Sequence, residues 1–403
     1  MNVTSPLTGS PVPCLPDYAG ASIVNLMADI AGALGAHDWR NPGLSDRNVR
    51  KALEQRGRIV LIVIDGLGKR YLANHPGART LKQFTCAGLT SVFPSTTATA
   101  VTTLLTGLAP AEHGLTGWHM WFPELATTGA VLPLRQRDPD RPLTALGLDT
   151  TELFGHRSLF ECLPVQSFAL APERIVDSDY NRIHTRGARR YGYASIERVF
   201  VTILNCLRVA GERCYVHAYY PDFDSIAHEH GVASSTAQGV LTRFDNAFAQ
   251  FLSAARALDA SVLVCADHGF IDSPVERAIQ LDRHPVLADC LRLPLCGERR
   301  AAYCYVRPGK EETFEEYVNA ELSEQVWLHR SRELIEQGWF GSSQTGSRLH
   351  PKLNHRVGDY TLVMKDNWVV KDWLPGEKRH HLIGVHGGVT SDEMMVPLIL
   401  VQP

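Results

Sequence analysis

Acidic, imidazole and hydroxyl side chains stand at five places in the sequence where a strand or a turn is expected to end. In chain order they are Asp65, the pair Thr96 and Thr97, Asp224 with His228, Asp267 with His268, and His386. Carboxylate and imidazole ligands without a thiolate suit Zn²⁺, with Mn²⁺ as a harder alternative. Six such ligands are too many for one four-coordinate ion and enough for two. Because two ions about 4 Å apart can hold both oxygens of a phosphoryl displacement, the pattern indicates phosphoryl chemistry.

Two of these groups have local spacing that favours a shared ion. Asp224 and His228 would lie on one face of a helix, since side chains four residues apart are neighbours there. This pair alone is weak evidence. Asp267 and His268 directly follow the apolar segment 262–266, and ionisable residues rarely end a buried strand without a role. The alternative for the second pair is an Asp that caps a turn beside a surface His.

The threonine-rich segment 95–107 offers a nucleophile. We expect a helix whose N-cap lies within 95–97 and whose C-cap is Gly107. A hydroxyl at a helix N-terminus lies beside free backbone N–H groups and the positive end of the helix dipole, which can hold a phosphate. A bound metal could lower the pKa of that hydroxyl. The alternative is a plain Ser/Thr N-cap.

The element that must position these groups is the segment 58–68. Its apolar run from Ile59 to Ile64 predicts a strand buried on both faces of a parallel sheet, and Asp65 follows at the carboxyl end. Open α/β folds bind their ligands at that edge of the sheet. Asp65 followed by Gly66 is also a common turn pair, so the segment alone leaves both interpretations open.

The remaining patterns predict an α/β protein. Helical patterns are expected at 21–36, 196–209 and 235–257, and strands at 90–93, 213–220 and 261–266. This alternation breaks between about 275 and 380, which predicts a small inserted lid or subdomain within a single domain of residues 1–403.

Bulk properties exclude several classes of protein. The 403 residues carry a net charge of −3 and 21% charged residues, which predicts no nucleic-acid polymer as a partner. The sequence has no membrane-length apolar run and no secretory signal, so we expect no membrane association. Nine scattered cysteines without a Cys-x-x-Cys pair predict buried free thiols in a reducing compartment, which indicates the cytoplasm.

Taken together, these motifs resemble the alkaline phosphatase superfamily, specifically its nucleotide pyrophosphatase/type I phosphodiesterase branch. The matching segments are 63–66, 92–97, 104–114, 219–231, 266–269 and 385–388, in the family's order. The resemblance implies a three-layer α/β sandwich around a mostly parallel sheet with helices on both faces. It also implies hydrolysis of a small phosphate ester.

The resemblance implies a role for each motif residue. One zinc ion would be held by Asp65, Asp267, His268 and the nucleophile, and the second by Asp224, His228 and His386. Thr97 is the implied nucleophile and metal ligand. The candidate substrate-binding residues are Thr96, Thr99, Trp118 and His119.

The sequence departs from the branch in one place. Phosphodiesterases of this kind usually carry Phe/Tyr-Pro-Asn-His after the nucleophile, and Ala100 replaces that Asn here. This weighs against nucleotide diesters as substrates. The prediction remains a two-metal phosphodiesterase or phosphatase that acts through Thr97. The alternatives are a phosphomonoesterase, a C–P bond hydrolase of the phosphonoacetate hydrolase type, and a non-catalytic metal- or phosphate-binding protein. The sulfatase signature is absent, which weighs against sulfate esters.

Overall fold

The computed structural model describes residues 12–36, 39, 41–147, 153–341 and 349–402. The β-strands are β1 (Arg58–Ile64), β2 (Thr85–Thr90), β3 (His119–Phe122), β4 (Thr127–Ala130), β5 (Arg135–Gln136), β6 (Gln166–Pro172), β7 (Arg189–Tyr193), β8 (Cys214–Tyr220), β9 (Ala260–Cys265), β10 (Ile271–Asp272), β11 (Ala278–Gln280), β12 (Cys296–Gly297), β13 (Ala301–Cys304), β14 (Val326–Arg330), β15 (Tyr360–Met364), β16 (Val369–Lys371), β17 (Gly384–Val385) and β18 (Met395–Val401). The α-helices are α1 (Ile23–Ala33), α2 (Arg47–Glu54), α3 (Lys69–Asn74), α4 (Arg79–Gln83), α5 (Thr97–Thr106), α6 (Pro110–His113), α7 (Leu159–Cys162), α8 (Asp179–His184), α9 (Ile196–Val209), α10 (Asp222–His230), α11 (Ser235–Arg256), α12 (Pro285–Cys290), α13 (Glu311–Glu321), α14 (Ser331–Glu336), α15 (Leu353–Arg356) and α16 (Ser391–Met394).

The larger part of the chain is built on a seven-stranded sheet of order β2-β18-β9-β1-β8-β6-β7. The neighbours from β9 to β7 are parallel, and β18 is antiparallel to both β9 and β2. β1 lies between β8 and β9, and six of its seven residues are buried. A continuous β-branched run fits this central position because both of its faces are covered. The predicted α/β fold with a mostly parallel sheet is confirmed.

The helices pack beside this sheet in two contacting groups. In one group α5 contacts α1, α6, α7 and α8, and in the other α11 contacts α4, α9 and α10. The apolar residues of α11 at 240, 244, 248 and 252 are all buried, as their spacing of four predicts for one helical face.

Helix α5 has the expected ends. Thr96 is the N-cap residue in an extended conformation, and Gly107 is the C-cap with φ of 71°. A glycine suits this left-handed position because it has no Cβ to clash. The first turn of α5 therefore begins at Thr97.

A second seven-stranded sheet has the order β14-β15-β13-β12-β3-β4-β5. All of its pairs are antiparallel, and it has its own clusters of buried apolar residues. Four strands come from the region expected as an insert, and three come from 119–136. The second sheet is therefore not confined to 275–380, because three consecutive strands from the earlier part of the chain complete it.

A buried ion pair joins the two sheets. Arg300, in the turn between β12 and β13, donates to Glu393 Oε2 over 2.9 Å, and Glu393 lies in α16 directly before β18. Both side chains are completely buried. Glu393 also accepts from the backbone N–H of Gly388 over 2.8 Å. The pair therefore also fixes the loop that carries His386.

All nine cysteines lie within the described ranges, and each is a free thiol. Six of them are buried. None of the helices in the described ranges has the length and apolar character needed to cross a membrane.

Candidate active site

The carboxyl ends of the three central strands bring the predicted acidic residues together. Asp65 directly follows β1. Of the two strands beside β1, β8 leads into α10 and β9 leads into the segment 266–269. The Asp65 N–H donates to Tyr220 O over 3.0 Å, and the Gly66 N–H donates to Asp267 Oδ1 over 3.0 Å. Adjacent parallel strands thus set the separation of these groups.

One cluster consists of Asp65, Asp267 and His268, which are all buried. His268 Nε2 lies 3.4 Å from Asp65 Oδ1 and 3.4 Å from Asp267 Oδ2. The Thr97 hydroxyl lies 3.0 Å from the same His268 Nε2. The first residue of α5 therefore points its hydroxyl at this cluster.

A second cluster consists of Asp224, His228 and His386. His228 Nε2 lies 3.4 Å from Asp224 Oδ1 and 3.2 Å from His386 Nε2, and His386 Nε2 lies 3.8 Å from Asp224 Oδ1. Asp224 and His228 are one turn apart on α10, as predicted. The rings of His268 and His386 stack with their centroids 3.8 Å apart, so the two clusters adjoin.

Three carboxylate oxygens in these clusters fit a pair of cations. Asp65 Oδ1, Asp224 Oδ1 and Asp267 Oδ2 are buried without a hydrogen-bond partner among the described residues. A buried carboxylate oxygen without a partner is costly, and a divalent cation would remove that cost. Oxygen and imidazole donors are ligands that zinc accepts, and six of them are enough for two ions.

Hydrogen bonds behind the clusters orient their side chains. His228 Nδ1 donates to Gly384 O over 2.8 Å, and His268 Nδ1 donates to Gly269 O over 3.0 Å. With Nδ1 protonated, each Nε2 keeps its lone pair for a ligand. The Tyr219 hydroxyl donates to Asp65 Oδ2, which leaves Oδ1 directed at the cluster.

Burial governs the protonation of these groups. It raises the pKa of Asp65 well above its usual range, and the charges of Asp224 and Asp267 raise it further. It also raises the pKa of Asp224 to about 7. Burial lowers the pKa of His228 to about 4 and that of His386 well below its usual range. The imidazoles of His228 and His386 are therefore held in the neutral form, which is the form that binds metals, and the ionised forms of Asp65 and Asp224 are disfavoured.

The clusters open into a cavity of about 900 Å³ that lies between the two sheets, and Thr97 is part of its wall. Of the candidate substrate-binding residues, Trp118 and His119 line this cavity. Thr96 and Thr99 are completely buried and are not among its lining residues. The Thr96 hydroxyl instead donates to Glu298 Oε1 over 2.6 Å.

Sequence reasoning missed several residues of the site. Tyr219 could have been found, because strand alternation in β8 places it next to the end of β1. Glu298, Arg299 and Lys371 also line the cavity. They had no such signal, since tertiary packing of segments far from the motifs brings them to the cavity: Glu298 and Arg299 lie in the turn between β12 and β13, and Lys371 lies in β16.

Comparisons with known proteins identify the family and the fold of the chain. The family model described as type I phosphodiesterase/nucleotide pyrophosphatase matches residues 59–388. Human ectonucleotide pyrophosphatase/phosphodiesterase 5 superposes with a TM-score of 0.64 at 18% identity, covering 86% of this chain and 88% of that one. The murine protein of the same name superposes with a TM-score of 0.63 at 17% identity, covering 86% of this chain and 88% of that one.

Phosphonoacetate hydrolase from Sinorhizobium meliloti 1021, in complex with phosphonoformate, gives a TM-score of 0.63 at 16% identity, with 86% and 90% covered. These identities are low, so the structural likeness shows a common fold. No curated protein sequence matched the chain. Because the family model covers most of its length, this chain is an enzyme of the type I phosphodiesterase/nucleotide pyrophosphatase family.

Proposed function

We propose that the protein is a metal-dependent hydrolase of small phosphate esters that uses Thr97 as its nucleophile and binds two Zn²⁺ ions. The observation that carries this proposal is the 3.0 Å contact between the Thr97 hydroxyl and His268 Nε2, at the junction of the two clusters. Asp65, Asp267, His268 and Thr97 would hold one ion, and Asp224, His228 and His386 the other.

Bound ions would lower the pKa of the Thr97 hydroxyl and neutralise charge on the attacking and leaving oxygens. The chain itself supplies the position of the nucleophile and the binding of the phosphoryl group. In the first turn of α5 the Thr99 N–H donates to Thr96 O over 3.1 Å, whereas the N–H groups of Thr97 and Ala98 have no carbonyl partner within the helix. These two N–H groups and the helix dipole favour a phosphoryl oxygen beside Thr97.

The proposed reaction has two steps. Thr97 Oγ1 forms a bond to phosphorus as the bond from phosphorus to the ester oxygen breaks, and the alcohol leaves with a proton. Water then attacks phosphorus as the bond from phosphorus to Thr97 Oγ1 breaks. A proton of the water returns to Thr97 Oγ1, and the phosphate, or the phosphate monoester when the substrate is a diester, leaves. Burial of Thr97 limits access of bulk water to the reacting atoms.

The relatives support small phosphorus-containing ligands. An inactive variant of the murine protein, in which a threonine is replaced by alanine, is in complex with AMP. Ala100, which stands where the branch usually has Asn, is completely buried in α5 and is not among the cavity-lining residues. The Ala100 side chain therefore offers no hydrogen-bond donor to a phosphoryl group in the cavity.

A C–P bond hydrolase acting on a phosphonate is the second candidate. The phosphonoacetate hydrolase likeness favours it, since that fold superposes as well as the phosphodiesterase fold does. The two candidates share the clusters and the nucleophile and differ only in the bond that breaks.

The test compares Thr97→Ala, Thr97→Ser and the control Thr99→Ala. Thr99 lies in the same helix, is buried and does not line the cavity. With zinc added, we expect turnover of bis(4-nitrophenyl) phosphate to fall on the order of 10³-fold or more in Thr97→Ala. We expect partial activity in Thr97→Ser and near-normal activity in Thr99→Ala.

Equal activity of Thr97→Ala and the unchanged protein would contradict the proposed nucleophile. A parallel assay with phosphonoacetate separates the two candidates. Turnover of phosphonoacetate without turnover of any phosphate ester would favour the C–P bond hydrolase.

A further inference from the structure

One wall of the cavity is cationic. Arg299 and Lys371 line the same cavity as Asp65 and Thr97, and both side chains are half-buried. Arg299 lies in the turn between β12 and β13, and Lys371 is the last residue of β16. The Val370 N–H donates to Arg299 O over 2.8 Å, which holds the two segments together. The two positively charged residues therefore lie on adjoining segments of the cavity wall.

The turn that carries Arg299 is fixed to both sides of the site. Its neighbour Glu298 accepts from the Thr96 hydroxyl over 2.6 Å, directly before the nucleophile. A Cβ placed on Gly387 would lie 2.8 Å from Glu298 Cβ, so the turn packs against the loop that follows His386. Arg299 is therefore held beside the reacting centre.

Neither cation has an acidic partner. Among the described residues, no carboxylate lies within 4.0 Å of the Arg299 guanidinium or the Lys371 ammonium, whereas Arg137 nearby is paired with Asp372 and Glu377. Arg299 instead lies 3.1 Å from His380 Nε2. Burial and the charge of Arg299 lower the pKa of Lys371 to about 8. An anion between the two groups would relieve both the burial cost and the repulsion.

We propose that Arg299 and Lys371 form a subsite for a second anionic group of the substrate, a carboxylate or a phosphate, beside the reacting phosphoryl group. The planar guanidinium suits either anion through paired hydrogen bonds, and the ammonium adds a point charge. This rests on the proposed function, because it takes Thr97 as the point of reaction. The substrate class narrows to phosphorus compounds with an anionic tail.

The experiment measures binding by calorimetry to the zinc-loaded Thr97→Ala protein, which should not turn its ligands over. The ligands are ω-phosphonocarboxylates of two to four carbons, alkane diphosphonates of matched length, and alkylphosphonates with the same chain and no second charge. Tighter binding of the phosphonocarboxylates would indicate that the subsite takes a carboxylate, and tighter binding of the diphosphonates would indicate that it takes a phosphate.

We expect the phosphonocarboxylates or the diphosphonates, which carry a second anionic group, to bind at least tenfold more tightly than the alkylphosphonates. One or two charge-assisted hydrogen bonds to that second group provide an affinity gain of this size. Arg299→Gln and Lys371→Gln should each remove most of that preference and leave alkylphosphonate affinity unchanged. Arg190→Gln is the matched control, since Arg190 also lines the cavity but lies 3.1 Å from Asp177 Oδ1. It should keep the preference.

Equal affinity for charged and uncharged tails in the parent protein would overturn the proposal. So would a loss of alkylphosphonate affinity that matches the loss for the charged ligands. Failure of the proposed function is distinguishable, because it shows as unchanged ester turnover in Thr97→Ala and leaves the preference for charged tails intact.

Discussion

Asp65 depends on a single neighbour for its orientation. The Tyr219 hydroxyl donates to one carboxylate oxygen, while the other faces Asp267 and His268 without a hydrogen-bond partner among the described residues. Partners of this kind fix ligand geometry, and their loss commonly weakens metal binding 10- to 100-fold. Tyr219 therefore acts on the proposed metal site through Asp65.

We expect Tyr219→Phe to lower zinc affinity by about tenfold or more while the protein stays folded. The measurement is competition with a zinc-chelating dye. Tyr215→Phe is the control, because Tyr215 lies in the same strand and its buried hydroxyl has no partner among the described residues. Equal zinc affinity in Tyr219→Phe and the parent protein would show that this hydrogen bond does not support the site.

The candidate metal-ligating residues could be predicted from the sequence because several of them follow a recognisable strand or helix pattern. Asp65 and Asp267 follow buried apolar strands, and His228 stands one helical turn after Asp224. For the adjacent Thr96 and Thr97, the sequence does not show which hydroxyl faces a cavity. Only the observed N-cap geometry separates Thr96, which contacts Glu298, from Thr97.

At the scale of elements, the turn between β12 and β13 contacts several parts of the molecule. Arg300 donates to Glu393 and to the backbone carbonyls of Asp366 and Trp368. It thereby joins the second sheet to α16 and to the loop after His386. Because both charges are buried, loss of either one leaves the other unpaired.

We expect Arg300→Met to lower the free energy of unfolding by roughly 3–5 kcal/mol, the usual cost of removing one partner of a buried ion pair. Urea denaturation at neutral pH measures it. The control Arg332→Met breaks an exposed pair with Glu336 and should change stability by less than about 1 kcal/mol. Similar small effects in both variants would contradict a structural role for the Arg300–Glu393 pair.

A second group of ion pairs joins Arg137 to Asp372 and Glu377. It predicts that the stability of the fold depends on pH in the acid range. Burial alone would raise the pKa of Glu377, but hydrogen bonds from Arg137 outweigh it and lower that pKa to about 2, against an ordinary 4.5. The stabilisation from Glu377 is therefore complete above pH 4.5 and is lost as pH falls towards 2.

We expect Glu377→Gln to reduce the acid sensitivity of the second sheet. Thermal unfolding followed at pH 7 and pH 3 should show a larger drop in Tm for the parent protein than for the variant. An equal drop in both would mean that Glu377 is not held ionised by Arg137.

Long elements could be predicted closely, whereas short ones could not. The helix 196–209 was expected with the ends it has, and 235–257 differs by one residue, because their apolar residues repeat over several turns. Strands β3, β4 and β5 have two to four residues, which is too short for alternation to identify them. The pairing of β3 with β12 joins segments far apart in sequence, which no local pattern defines.

At the scale of the whole molecule, the site holds three acidic groups in a buried position between two sheets. Desolvation raises the pKa values of Asp65 and Asp224, so their ionised form is disfavoured without a counter-charge. A ligand that binds only the folded protein stabilises it by mass action, by about 4 kcal/mol at 1,000 times its Kd. Metal binding should therefore couple the stability of the molecule to its activity.

We expect treatment with a chelator to lower the Tm by several degrees and to abolish turnover of bis(4-nitrophenyl) phosphate, and added Zn²⁺ to restore both. Mn²⁺ in a parallel titration tests the alternative ion. An Asp65→Asn/Asp224→Asn double variant serves as the control, since its Tm should not respond to zinc. If neither the Tm nor the activity changed on addition of the chelator, the proposed metal-dependent site would be contradicted.

The most direct test is anomalous diffraction at the zinc absorption edge from crystals grown with Zn²⁺. Two anomalous peaks about 4 Å apart are expected. One should lie within about 2.2 Å of ligand atoms of Asp65, Asp267 and His268, and the other equally close to those of Asp224, His228 and His386. A single peak, or none at these six side chains, would contradict the proposed site for two metal ions.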